Sequence, residues 1–266
     1  MIKILSAALA CSLSFTALAQ DPPGAEGPGE QGPPRWGLGL GAVAVDSAYA
    51  GEGSRVMPFP LVAFNGERFY FEGLGAGWKF IETDHLNVAA VVKFRMDGFD
   101  VKDLGRRELA ENGLDYRVLE DRDKGLDLGA KAVWSSFIGE LEIEALADVA
   151  DASGGQELSL QYGYGVPFLG GQLTPNVGVT WQSKDMANYY YGTLDKEVAR
   201  GAIDYKPGSV TIPHVGVSYF RPLGEKWSMM GFVQYKRLPD KITDSPLIER
   251  DADSSATVFL GFTRGF

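Results

Sequence analysis

From Trp36 to the terminal Phe266 the chain alternates apolar with small or polar residues in short runs, each bounded by turn-forming residues. A period of two is the signature of β-strands with chemically different faces. The runs fall at about 36–45, 56–64, 68–74, 76–82, 86–97, 125–137, 140–151, 156–168, 171–183, 209–222, 226–238 and 255–266, which makes twelve. Their connections sort by parity. Long ones, at 46–55, 98–124, 184–208 and 239–254, all follow odd-numbered strands, whereas those after even-numbered strands are tight: Asn65-Gly66-Glu67, Thr83-Asp84-His85, Ile138-Gly139, Leu169-Gly170 and Leu223-Gly224-Glu225. Outer-membrane barrels have an even strand number, long loops on one side and short periplasmic turns on the other. A soluble β-sandwich has no reason to segregate loop lengths in this way. The expected fold is therefore all-β: a transmembrane antiparallel up-and-down β-barrel of twelve strands over residues 36–266, set in outer-membrane lipid.

Face chemistry agrees with this reading. Leu86, Val88, Ala90, Val92, Phe94 and Met96 share one face, opposite Asn87, Ala89, Val91, Lys93, Arg95 and Asp97. Trp134, Trp181, Trp227, Tyr162, Tyr164, Tyr219 and Tyr235 recur near strand ends, as interfacial aromatic girdles do. In the last strand Val258, Leu260, Phe262, Arg264 and Phe266 lie opposite Thr257, Phe259, Gly261, Thr263 and Gly265. The oily face is expected to meet lipid, and Phe266 to act as an assembly signal for the barrel-assembly machinery.

Residues 1–19 read as a secretory signal peptide, with Lys3 before an apolar run and a small-residue cleavage site at Ala17-Leu18-Ala19. The one cysteine, Cys11, lies within it, so the mature chain has neither a disulfide framework nor a thiolate nucleophile. Residues 20–35 are rich in proline and glycine, lack aromatic and β-branched residues, and read as a flexible tether. The full chain's net charge of −10 becomes one unit more negative once Lys3 leaves, which argues against nucleic acid as a partner.

By strand parity Lys93, Arg95, Asp127, Lys131, Glu142, Glu144 and Asp148 project into the lumen. Opposite charges on neighbouring strands can pair across the wall. Two readings are open: a selective or ligand-binding passage, or a plug of mutually satisfied ion pairs, which the narrowness of a twelve-stranded barrel favours. Asp121-Arg122-Asp123-Lys124-Gly125-Leu126-Asp127 has the spacing of a calcium loop. Ala132 stands where its bidentate Glu is needed, so the segment reads as a solvated charged loop. His214 and Ser218 share a face about 13 Å apart, too far for a nucleophile and its base. No catalytic, metal or cofactor site is expected. Tyr189-Tyr190-Tyr191 either meets a partner or folds over the barrel mouth, and short helices are expected at Asp195 to Ala202 and Arg106 to Asn112.

Gly37-Leu38-Gly39-Leu40-Gly41-Ala42, Tyr49-Ala50-Gly51 and Arg55-Val56-Met57-Pro58-Phe59-Pro60-Leu61 resemble the first hairpin of the MipA/OmpV family of outer-membrane proteins. Asp244-Ser245-Pro246-Leu247-Ile248-Glu249 is similar to its final loop, and the resemblance runs from Trp36 to Phe266. It implies an exported, non-enzymatic scaffold linked to peptidoglycan, bringing a lytic murein transglycosylase together with a murein synthase. The alternatives that the family offers are a narrow porin or a surface adhesin. Arg264 departs from the hydrophobic or tyrosine residue usual at that place.

Overall fold

The computed structural model describes residues 35–266. The leader and tether expected over residues 1–19 and 20–35 therefore lie outside the described residues, apart from Arg35. Thirteen strand segments form one antiparallel sheet: β1 (Trp36–Asp46), β2 (Ser54–Asn65), β3 (Phe69–Glu72), β4 (Gly75–Glu82), β5 (Leu86–Arg95), β6 (Gly125–Ser136), β7 (Gly139–Asp148), β8 (Gln156–Gly163), β9 (Val166–Phe168), β10 (Gly171–Gln182), β11 (Val210–Leu223), β12 (Trp227–Arg237) and β13 (Ser254–Gly265). Each pairs with its sequence neighbours, except that β8 and β9 do not pair with one another and both pair with β10. The closing ladder of β1 with β13 runs from Gly37 opposite Gly265 to Asp46 opposite Ala256. With both edges joined, no free strand edge is left at the seam.

The barrel has twelve staves, because β8 and β9 are one stave in unbroken register. Gly163 faces Asn176 and Val166 faces Leu173 of β10. The interruption at Tyr164-Gly165 lies opposite Pro175, which has no N–H to give the ladder, although Tyr164 N still donates to Pro175 O at 3.1 Å.

Outward faces carry exposed Leu38, Leu40, Leu126, Leu128, Ile143, Leu158, Leu160, Val258, Leu260 and Phe262. For strands in lipid this replaces the polar exterior of a soluble sheet. The Gly39 position on β1 shows how tightly the seam closes, since a Cβ there would stand 1.9 Å from Phe262 O. Arg264 points outward at the periplasmic rim, its guanidinium 5.1 Å from the ring centroid of Phe266. Phe266 N in turn donates to Trp36 O at 2.9 Å.

Candidate functional site

Four outer connections form a cap with a core of its own. The β5–β6 connection contributes α1 (Arg106–Glu111) between two 3₁₀ turns, and the β10–β11 connection contributes α2 (Lys184–Tyr191) and α3 (Asp195–Ala199). The β12–β13 connection adds α4 (Asp240–Thr243). α2 was not expected; Ser183 caps it by accepting from Met186 N. These pieces pack Tyr49, Phe99, Leu109, Leu114, Ala187, Ile242, Leu247 and Ile248 into one cluster over the barrel mouth. Tyr190 is buried and Tyr49 Oη donates to its carbonyl at 3.1 Å, so the tyrosine run folds inward.

Arg122 is the polar pin of this cap. Expected in a solvated loop, it is instead 2% exposed. Its two Nη atoms donate to Glu197 Oε1 and Oε2 at 2.7 and 2.8 Å, and its Nε to Tyr189 O at 2.6 Å. Glu197 also accepts from the backbone of Glu120 and Leu194, both at 2.7 Å. Burial pushes the Glu197 carboxyl upward, but Arg122 and these N–H donors outweigh burial and leave it below its ordinary value. Of the three acidic residues in the calcium-like run, two already diverge: Asp121 accepts from Val101 N, and Asp127 enters the lumen. No group of three or more His, Cys, Asp or Glu positioned for a metal occurs among the described residues.

Two of the segments that carry the family resemblance meet here. Tyr49 bridges to Ile248, Ala50 N donates to Leu247 O and Glu249 N to Ala48 O, both at 2.9 Å. Gly51 N donates to Glu249 Oε2 at 2.8 Å. Gly51 takes a φ of +69° with Gly105 packed against it, a position that leaves no room for a side chain.

Beneath the cap the lumen has a charged wall. Arg95 donates from Nε to Asp127 Oδ2 at 2.7 Å, and from Nη1 to Asp97 Oδ2 at 2.8 Å and Glu157 Oε2 at 2.9 Å. Gln182 Nε2 donates to the same Glu157 oxygen at 3.1 Å. Two residues before Arg95 on β5, Lys93 Nζ donates to Glu144 Oε1 of β7 at 2.6 Å. Lys131 lies 5.9 Å from the ring centroid of Tyr70, and Glu142 is buried beside this group on β7. Asp148 does not join them: it turns to the β7–β8 connection and accepts from Ala150, Ser153 and Gly154 N. Asp97, which shares the face of Lys93 and Arg95, was not counted in the cluster, and Glu157 and Gln182 are the members that sequence reasoning missed. Glu157 was accessible to it, since it shares inward parity with Ser159 and Gln161 on β8.

The facing wall is apolar. Phe259 stacks on Phe59 at 5.9 Å and on Phe232 at 5.4 Å between ring centroids, with Val43, Val45, Leu61, Met57 and Met230 around them. Between cap and lumen a cavity of about 90 Å³ remains, bordered by Asp97, Glu157, Gln182, His214 and Lys236. The cap core thus lies over the barrel mouth, with the Arg95 network on one side of the lumen beneath it and the Phe259 cluster on the other.

The chain is similar to known proteins along most of its length. The family model described as "MltA-interacting protein MipA" matches residues 38–266. The chain is 30% identical over 220 residues to the MltA-interacting protein of Escherichia coli (strain K12), covering 81% of this chain and 85% of that protein. It is 25% identical over 131 residues to the outer membrane protein OmpV of Vibrio cholerae, covering 49% and 51%. Among solved structures a Pseudomonas aeruginosa FadL homologue aligns with a TM-score of 0.43 and 10% identity, covering 87% of this chain and 90% of that one. The match along almost the whole barrel places the chain in the MltA-interacting protein MipA family of outer-membrane proteins.

Proposed function

We propose that the protein is a non-enzymatic scaffold that holds murein-processing enzymes against the inner face of the outer membrane, with a lytic murein transglycosylase as the directly bound partner and a murein synthase recruited beside it. After export by the leader, the Gln20–Arg35 tether extends the reach of this face into the periplasm. The name of the Escherichia coli relative supports the transglycosylase. The observation that carries the reading is the periplasmic rim. Phe137 at the tip of the β6–β7 turn is 92% exposed, and Ile138, Phe168 and Leu169 are exposed near it. Large apolar side chains held in water at turn tips are the anchors that a protein partner buries.

The test is cross-linking and capture of a lytic transglycosylase by detergent-solubilised protein carrying Phe137→Glu with Leu169→Glu. Capture should fall severalfold while heat-modifiable migration stays intact. Undiminished capture by a folded double variant overturns the assignment. The cap and the Arg95 network favour a closed lumen over the narrow-channel alternative, so planar-bilayer recordings should be silent; steady unitary conductance would favour the channel.

A further inference from the structure

We propose that the barrel wall contains a lateral window facing the outer leaflet, between β2 and β5, and that the hydrocarbon chain of an outer-leaflet lipid occupies it. β2 is twelve residues long, yet only Ala63, Phe64 and Asn65 pair with β3. β3 itself has four residues and β4 eight. On the far side Phe94 N donates to Leu74 O, which places the tip of the β3–β4 hairpin level with the end of β5. From Ser54 to Val62, β2 therefore has β1 on one side and, among the described residues, no ladder partner on the other. With allowance for strand tilt and stagger, this leaves an opening about 15–20 Å tall in the outer half of the wall. Two absent staves make it about 14 Å wide.

The top of the opening is bridged. Gly105 N donates to Ala50 O at 2.9 Å and Arg55 lies 3.5 Å from Asp103, so the segment from Asp97 to Gly105 crosses from β5 to the β1–β2 connection. The result is a framed window with a sill at Gly73-Leu74.

An open sheet edge in hydrocarbon is costly because orphaned N–H groups find no acceptor there. The sequence removes two of these donors at this place. Asn65 N donates to Arg35 O, so odd-numbered residues of β2 turn their backbone toward β1 and even-numbered ones toward the free edge. Pro58 and Pro60 are both even and have no N–H. An added β-strand would find two donors missing, whereas an alkyl chain needs none. The frame matches that occupant: Val56, Leu74 and Phe94 are exposed around it, with Val56 at 71%. Inside, Met57 and Phe59 lead to the apolar wall at Phe259. At this height the medium outside is lipid, which fixes the source of the chain.

The mature protein has no cysteine, so single cysteines report cleanly. A nitroxide is attached at Met57→Cys, at Val56→Cys as the lipid-facing reference, and at Thr257→Cys, buried in the lumen on the intact β13 wall. Collision with dissolved oxygen is compared with collision with a water-soluble nickel chelate in phosphatidylcholine vesicles. The oxygen-to-nickel ratio at position 57 should approach that at 56 and exceed that at 257 severalfold. A ratio at 57 equal to that at 257, or dominated by nickel, overturns the proposal. Heat-modifiable migration verifies folding, and Phe59→Cys replaces Met57→Cys if that variant fails to fold. A benzophenone at position 57 should in addition yield a lipid adduct by mass; a protein-only or solvent product argues against an alkyl occupant.

Discussion

The two walls of the lumen obey the same inward parity and solve the same packing problem by different physics. On β12, β13, β1 and β2 the inward positions at mid-height carry Phe, Met, Val, Leu and Gly, with polar residues such as Lys236 and Thr257 toward the cap, and rings from three strands stack over close-packed glycines such as Gly41 and Gly261. On β5 to β8 Lys, Arg, Asp and Glu stand around a small apolar group at Ala89, Val91 and Leu146 and are joined in ion pairs, three carboxylates sharing Arg95. The apolar wall gains by excluding water and is indifferent to small displacements. The charged wall gains only while every partner is present, because a buried charge without its counter-ion is far more costly than the pair is favourable. The charged wall should therefore be the brittle one.

The largest effect is expected from Arg95→Met. It strands Asp127, Glu157 and Asp97 together, at a cost of about 3–5 kcal/mol. Urea unfolding in vesicles should show the midpoint drop, and a change below 1 kcal/mol would remove the contrast between walls, an effect in the ordinary surface range. Phe259→Ala opens a void between Phe59 and Phe232 and should cost about 3 kcal/mol in the same assay. Phe259→Leu should recover most of that loss, whereas Arg95→Lys, lacking the fork that reaches three carboxylates, should recover little.

Away from both walls, Glu197→Gln should weaken the cap by about 2 kcal/mol. Proteolysis in the 98–124 and 184–208 connections should accelerate while the barrel remains heat-modifiable. The pH dependence has a definite sign. The folded-state pKa of Glu197 is depressed, so its stabilisation is present above the ordinary 4.5 and is lost as pH falls through the lowered value. Cap protection should thus fade only in acid below about pH 4.5, and the Gln variant should lack that step. The smallest effect on stability belongs to deletion of Phe266, which is 62% exposed: under about 0.5 kcal/mol in urea, yet with lowered outer-membrane levels if it serves as the assembly signal. Unchanged levels at normal expression would dismiss that role.

Much of this was legible in the residues. The alternation in Leu86 to Arg95 and Gly125 to Ser136 fixes which side chains face lipid, since a one-residue slip would turn Leu126 and Leu128 inward and Asp127 into hydrocarbon. Gly and Asn at the tight turns set the hairpins. The cap was not legible as a unit. Leu109, Ile242 and Tyr190 lie in three connections far apart in sequence, and nothing periodic links them. Arg122 looked like a loop charge because its counter-ion is 75 residues away. Asp148 looked like a lumen charge because parity ends where the strand ends, and there a carboxylate is captured by local N–H groups.

By itself, then, the sequence determined the strand pattern, the two faces of each strand and the barrel, because these rest on a period of two and on turn chemistry that act locally. It also contained Pro58 and Pro60, whose absent donors make a free edge tolerable. Only the tertiary structure decided that this edge is free, that four connections close over the mouth, and which carboxylates share Arg95. Those outcomes depend on which distant segments meet once the sheet has curled and closed, and on how far each stave rises beside its neighbour.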